Sequence, residues 1–241
     1  MKGAPAGLRA RAFALPLLLA AAALPAPSQA PHAVATAAHT GEVRVSVWVI
    51  GSDLRRSAAP GAVVWIPGST SPQPMPRGRV ASKGKRFEPR VTAVPVGGTV
   101  DFPNLDRIHH NVFSLSERAR FDLGLYKNGA SQPWTFTKPG LVRVYCNIHP
   151  KMAAYVMVVD GRTFAVTGAD GLAVLTGVPA GRVPLKAWDE RGGEWAGVAD
   201  VAAGKSTPVV VTLDASAFRE AGHTRKDGTA YPPPDEDDNR Y

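Results

Sequence analysis

Cysteine is nearly absent from this 241-residue chain, which has only Cys146. One thiol excludes any disulfide within the chain, and with it two-thiolate zinc knuckles and iron–sulfur clusters. Aromatic residues are also few, at 7%. No segment beyond the first thirty residues is apolar over the ~20 residues that a spanning helix needs. There is no Gly-rich phosphate loop, no His-Glu-x-x-His helix and no Cys-x-x-Cys-His haem motif. The formal charge of +8 is moderate for this length and does not by itself indicate nucleic acid. What the chain has instead is turn-formers: 24 glycines and 22 prolines, spread along its length, favour many short strands over long helices.

Residues 1–35 read as an export signal. Lys2, Arg9 and Arg11 form a positive start, and Phe13 to Leu24 is apolar apart from Pro16. Small residues offer cleavage after Ala30 or after Ala35. The apolar run is too short for a membrane anchor, so the expectation is a periplasmic protein with no transmembrane segment once the signal is removed. Export makes the lone cysteine unusual. An oxidising compartment turns an unpaired thiol into a liability, so Cys146 needs burial or a metal.

The remaining chain reads as all-β. Val43, Val45, Val47 and Val49 alternate, and Ala62–Ile66 is a second apolar run. The Pro/Gly/Ser-rich stretch from Pro67 to Arg86 collects Arg77, Arg79, Lys83, Lys85 and Arg86. It reads first as a solvated loop, with steering of an acidic partner as the alternative. Strands are expected at Arg90–Val96 and Thr99–Asn104, joined as a hairpin by Val96-Gly97-Gly98. More are expected at Trp134–Phe136, Val142–Tyr145 and Tyr155–Val159, and then at Phe164–Thr167, Leu172–Leu175, Val183–Trp188 and Val209–Leu213. From Glu220 the apolar pattern stops, and the proline and acidic runs near the end read as disorder over 214–241.

The chemistry concentrates at Cys146-Asn147-Ile148-His149-Pro150-Lys151-Met152, where thiolate, imidazole and thioether follow at spacings of three. With 6 histidines and 4 methionines in the chain, chance placement at both offsets is roughly 0.0004. His109 and His110 offer a second imidazole upstream. Two imidazoles, a thiolate and a weak thioether are the donor set of a mononuclear copper electron-transfer site. Four filled positions leave none for substrate, which argues against a catalytic metal. A Cys–His nucleophile would need an oxyanion arrangement that the sequence does not offer, and would leave Met152 without a role.

These residues carry a resemblance. Gly98-Thr99-Val100-Asp101-Phe102, His110-Asn111-Val112 and Tyr145-Cys146-x-x-His149-x-x-Met152 resemble the cupredoxins, the plastocyanin and amicyanin family of type 1 copper proteins. Arg86-Phe87-x-Pro89 and Phe121-Asp122-Leu123-Gly124 also resemble proteins named for methylamine utilisation. The resemblance implies a Greek-key cupredoxin sandwich over 86–160, with copper held by His110, Cys146, His149 and, axially, Met152. It implies that Asn111 braces the ligand loops and sets a backbone N–H near the thiolate, and that His149 is the electron exit. It implies no catalytic residues and redox partners such as a c-type cytochrome or a dehydrogenase. His109 remains an alternative to His110. The segments 42–67 and 162–213 resemble the small transthyretin-like sandwich found beside carboxypeptidases, here expected as one discontinuous unit with the copper domain inserted. The functional expectation is a periplasmic single-electron carrier. The alternatives are a copper-delivery protein, or an adhesion module whose metal site is vestigial.

Overall fold

The computed structural model describes residues 39–220 and 222–232. The expected signal and the last part of the expected tail lie outside the described residues. No α-helix occurs among those described, and the chain is all-β. The first strands are β1 (Thr40–Ile50), β2 (Arg56–Ala58) and β3 (Val63–Ile66). A middle group begins with β4 (Arg77–Arg79), β5 (Ala81–Ser82), β6 (Phe87–Glu88), β7 (Val91–Pro95) and β8 (Thr99–Pro103). It continues with β9 (His110–Ser116), β10 (Ala119–Tyr126), β11 (Ser131–Thr135), β12 (Gly140–Tyr145) and β13 (Ala153–Val159). The last group is β14 (Thr163–Val166), β15 (Leu172–Pro179), β16 (Gly181–Asp189), β17 (Gly193–Val201) and β18 (Ser206–Asp214).

The first and last groups share two sheets. β1 runs antiparallel to β15 and parallel to β18, with β2 also paired to it. The second sheet has the order β14-β3-β16-β17. Side chains alternate faces along a strand, so Val43, Val45, Val47 and Val49 all point from β1 into one core. There they meet Val64, Ile66, Leu185, Val211 and Leu213.

The middle group forms a second pair of sheets, β10-β9-β12-β13-β7 and β11-β8-β4. Val94, Val100, Phe102, Phe121, Phe136, Val144 and Val156 fill the space between them, together with Cys146 and Met152. A third cluster joins the two pairs: Val63, Trp65 and Trp188 pack on Ala93, Met157 and Val159. Hence β3 and β13 are apolar on both faces. Val64 and Ile66 face one core while Val63 and Trp65 face the other side, and a strand buried twice reads as a continuous apolar run. The Trp65 indole meets its polar need by donating to Asp160 at 2.7 Å.

Two expectations are corrected here. β7 and β8 do not form a hairpin: β7 pairs with β13, and β8 with β11 and β4. The turn itself exists, with Gly98 N–H donating to the Pro95 carbonyl at 2.8 Å. It carries the chain from one sheet to the facing one, because Val94 and Val100 both point into the core between them. A side chain at Gly98 would meet the Pro95 carbonyl oxygen at 2.7 Å, so the crossing needs glycine there. The loop expected over 67–86 also contains β4 and β5. β4 is hidden in the sequence because its inward residue is Gly78, where a Cβ would lie 2.9 Å from Val94 Cγ1. Its Arg77 is bound twice to Asp101, at 2.9 and 2.5 Å, which removes it from any free basic run.

Candidate metal centre

Strand ends assemble the site. His110 is the first residue of β9, Cys146 follows the last residue of β12, and Met152 precedes β13. Register between β12 and β9 pairs Tyr145 with Phe113, which sets those ends side by side. The intervening loop closes tightly: Met152 N–H donates to the His149 carbonyl at 3.0 Å, and Cys146 N–H to the Met152 carbonyl at 3.2 Å. Cys146, His110 and Met152 are fully buried, and His149 is half-buried.

The nitrogens of His110 and His149 and the sulfur of Cys146 all lie within 4.8 Å of one another. Cys146 Sγ is 3.9 Å from His110 Nδ1 and 3.7 Å from His149 Nδ1. These spacings test whether one ion fits. Metal–sulfur and metal–nitrogen bonds of about 2.3 and 2.0 Å, opened to about 120°, put the two donors about 3.7 Å apart. The two sulfur–nitrogen separations match that spacing, and a thiolate with two imidazoles suits a soft, copper-type ion. Met152 is packed in the same core cluster as Cys146. His109 is exposed and lies outside the donor cluster.

Around the donors, polar partners fix protons and rings. His110 Nε2 faces Asp106 Oδ2 at 2.8 Å. Asp106 is itself held by the N–H groups of Gly84 at 2.6 Å and Lys85 at 2.9 Å. Burial raises the Asp106 pKa, but those two N–H groups and His110 outweigh it and hold the carboxyl below its usual range. For His110, burial lowers the pKa more than Asp106 raises it, so the ring is neutral at pH 7. Asp106 accepts from Nε2–H, and the Nδ1 lone pair then points inward, as a ligand requires. The Cys146 thiol is pushed up by burial, against the backbone N–H groups of Asn111, Ile148 and His149. The metal-free thiol thus keeps its proton at neutral pH, and a metal bound there would displace it.

Comparisons with known proteins can now be set beside this geometry. No family model and no curated protein matches the chain. Solved structures do. A copper-containing nitrite reductase from Thermus scotoductus is 30% identical over 38% of this chain and 24% of its own, with a TM-score of 0.33. A purple cupredoxin from Nitrosopumilus maritimus is 22% identical over 34% of this chain and 98% of its own, at 0.30. A mutant amicyanin in the Cu(I) form is 24% identical over 39% of this chain and 97% of its own, at 0.33. The chain spans about a quarter of the length of the nitrite reductase, which is covered over 24%. Each overlap is partial, and the chemistry of the site is read from its donor atoms.

Sequence reasoning placed the three clustered donors but missed their supports. The Asn111 side chain does not bridge to the cysteine loop. It donates to Asp122 Oδ1 at 2.6 Å and to the Gly124 carbonyl at 2.9 Å, both in β10. Only its backbone N–H reaches the thiol. Asp106 had one available signal, its place four residues before His110. The tail over 214–232 also differs from the expectation of disorder. β18 runs to Asp214, and residues 222–232 lie on the ligand loop, where Tyr231 donates to the Cys146 carbonyl at 2.5 Å. A short polar segment with two aromatic anchors has little apolar pattern, yet it is held by partners distant in sequence.

Proposed function

We propose that this chain is an exported type 1 copper protein that carries single electrons between periplasmic redox partners and catalyses no reaction of its own. The observation that carries this reading is the preset donor spacing of Cys146, His110 and His149, two of them fully buried and the third half-buried. Copper supplies a one-electron Cu(I)/Cu(II) couple when bound by thiolate and imidazoles. The chain's part is to keep the donors still. The strands fix His110 and Cys146, Met152 is the proposed fourth donor from the same core cluster, and Asp106 and the three backbone N–H groups set the charge each donor presents. Donors that do not move between two oxidation states leave little reorganisation to oppose transfer.

His149 is the proposed exit, as the least buried of the donors. Beside it in sequence Ile148 is 42% exposed; Leu105, just after β8, and Leu125, in β10 opposite Asn111, are 46% and 62% exposed. The loops flanking the donors and their supports carry Arg86, Arg107, Lys127 and Lys151, all exposed, while Lys83 pairs with Glu88. They are knitted to the site: Gly84 and Lys85 bind Asp106, and Asn104 exchanges backbone bonds with Gly129 and Ala130. An apolar centre with a basic rim fits an acidic partner, whether a c-type cytochrome or a dehydrogenase. The sandwich built from 42–67 and 162–213 is proposed as a support, with the copper domain of 86–160 inserted between its parts.

The test is one spectrum. Copper-loaded, oxidised protein is expected to absorb intensely in the visible, to bleach reversibly on reduction, and to lose the band in Cys146→Ser. A colourless, redox-silent copper complex would refute the reading.

A further inference from the structure

The segment 222–232 returns across 79 to 85 residues of sequence to bond the ligand loop, and holds the site at four places. Tyr231 Oη donates to the Cys146 carbonyl at 2.5 Å, and lies 3.2 Å from His223 Nδ1. His223 Nδ1 is also 3.2 Å from the Thr224 carbonyl, which can only accept, so Nδ1 carries the proton. The chain of bonds therefore runs one way, from His223 N–H to the Tyr231 hydroxyl to the Cys146 carbonyl, each bond polarising the next. The His223 ring stacks on Tyr145 with centroids 4.0 Å apart and planes 19° apart. Tyr231 stands edge-on to it at 5.2 Å. Lys226 N–H donates to Asn147 Oδ1 at 2.9 Å, and its ammonium pairs with Asp122.

Asp122 forms a bridge, because Oδ2 accepts from Lys226 while Oδ1 accepts from Asn111, the neighbour of His110. The segment thus holds Tyr145, Cys146 and Asn147 on one side and reaches the His110 side through Asp122 and Asn111. We propose that residues 222–232 are a strap that belongs to the metal centre, with Tyr231, His223 and Lys226 as positioning residues that keep the ligand loop closed over Cys146. This rests on the copper reading for its effect on metal release, but not for its effect on the thiol. The strap lies over the Tyr145–Asn147 end of the loop, whereas Ile148 and Pro150, on either side of His149, remain exposed. It therefore directs exchange with partners to the His149 edge.

The test uses the full chain, Tyr231→Phe, and a chain ending at Glu220, which keeps every strand. In metal-free protein, Cys146 is fully buried and reacts with a soluble aromatic disulfide only when the loop opens, so the rate reads loop opening. The strap predicts a rate roughly fivefold faster in Tyr231→Phe, as for one lost hydrogen bond, and roughly tenfold or more in the shortened chain. In copper-loaded protein, transfer of Cu(I) to excess chelator should accelerate in the same order, with the denaturant midpoint little changed. Thiol rates within twofold of the full chain in both variants would overturn the proposal. If the shortened chain has a lowered midpoint, Tyr231→Phe alone decides. Should the full chain take up no copper, the electron-carrier reading fails while the thiol rates still decide the strap.

Discussion

Replacing Asp106 by asparagine isolates one interaction at the metal centre. Asp106 Oδ2 takes bonds from both His110 Nε2 and Lys85 N–H, and Oδ1 takes one from Gly84 N–H. All three partners are donors, so an amide cannot serve them. With its oxygen toward His110 and Lys85, its NH2 opposes Gly84; turned over, the NH2 opposes the other two. The His110 side chain is 0% exposed and that of Asp106 15%, so water replaces little of what is lost. A hydrogen bond to a charged group is worth about 1.5–3 kcal/mol. Loss of an outer partner of a metal-bound histidine costs about 10–100-fold in metal affinity, the same range. The carboxylate's negative charge favours the more positive oxidation state, so Cu(II) should lose more than Cu(I). Each tenfold of that difference raises a one-electron potential by about 59 mV. Chelator competition for both oxidation states, with potentiometry, measures this in Asp106→Asn beside the parent. Affinities within twofold and an unmoved potential would refute the coupling of Asp106 to the metal through His110.

Three further outcomes are expected. Met152→Ala should cost the metal-free fold about 2–5 kcal/mol in denaturant unfolding. Met152→Leu should cost under about 1.5 yet shift the potential, and an unmoved potential in the leucine variant would remove Met152 from the ligand set. Trp65→Ala should destabilise by about 3–5 kcal/mol, since Trp65 fills the cluster between the two sheet pairs and its loss strips Asp160 of the indole N–H; a loss under about 1 kcal/mol would show that this cluster does not couple them. Burial raises the Asp122 pKa, but Lys226, Asn111 and Gly124 N–H outweigh it and hold the carboxyl low. Its stabilising contribution is therefore complete above the unfolded value of about 4 and is lost as pH falls through the lower folded value. Carboxyl NMR should show Asp122 titrating at lower pH in the parent than in Lys226→Met, and equal midpoints would refute the ion pair.

What could be read from the sequence follows how local each cause is. The alternation of β1 and the Cys146-x-x-His149-x-x-Met152 spacing are local, and the structure places each in a buried strand or a closed loop. β10 shows less in its sequence because its register shifts between Asp122 and Leu125, where Gly124 turns with φ of 72°, so apolar residues lose their period. β7 and β8 read as a hairpin because Gly97-Gly98 is a turn signal, yet a turn does not say which sheet receives the next strand. That is decided by Val94 and Val100 sharing a core across it. The Tyr231–Cys146 bond spans 85 residues and the Lys226–Asn147 bond 79, so no window of sequence contains both partners.

The same contrast explains why support falls where it does. His110 is anchored twice over, by its place at the start of β9 and by Asp106, and Cys146 directly follows β12. Asn147 to Lys151 belong to no strand, and of that loop's backbone bonds Met152 N–H to the His149 carbonyl is the one that folds it back. A donor on such a loop would drift by far more than the few tenths of an ångström that separate a trigonal site from a distorted one. Tyr231 and Lys226 bind at Cys146 and Asn147, the first residues of that loop, rather than at any strand. The chain thus adds a segment distant in sequence at the point where the sheets stop giving rigidity, and leaves Ile148 and Pro150, on either side of His149, exposed.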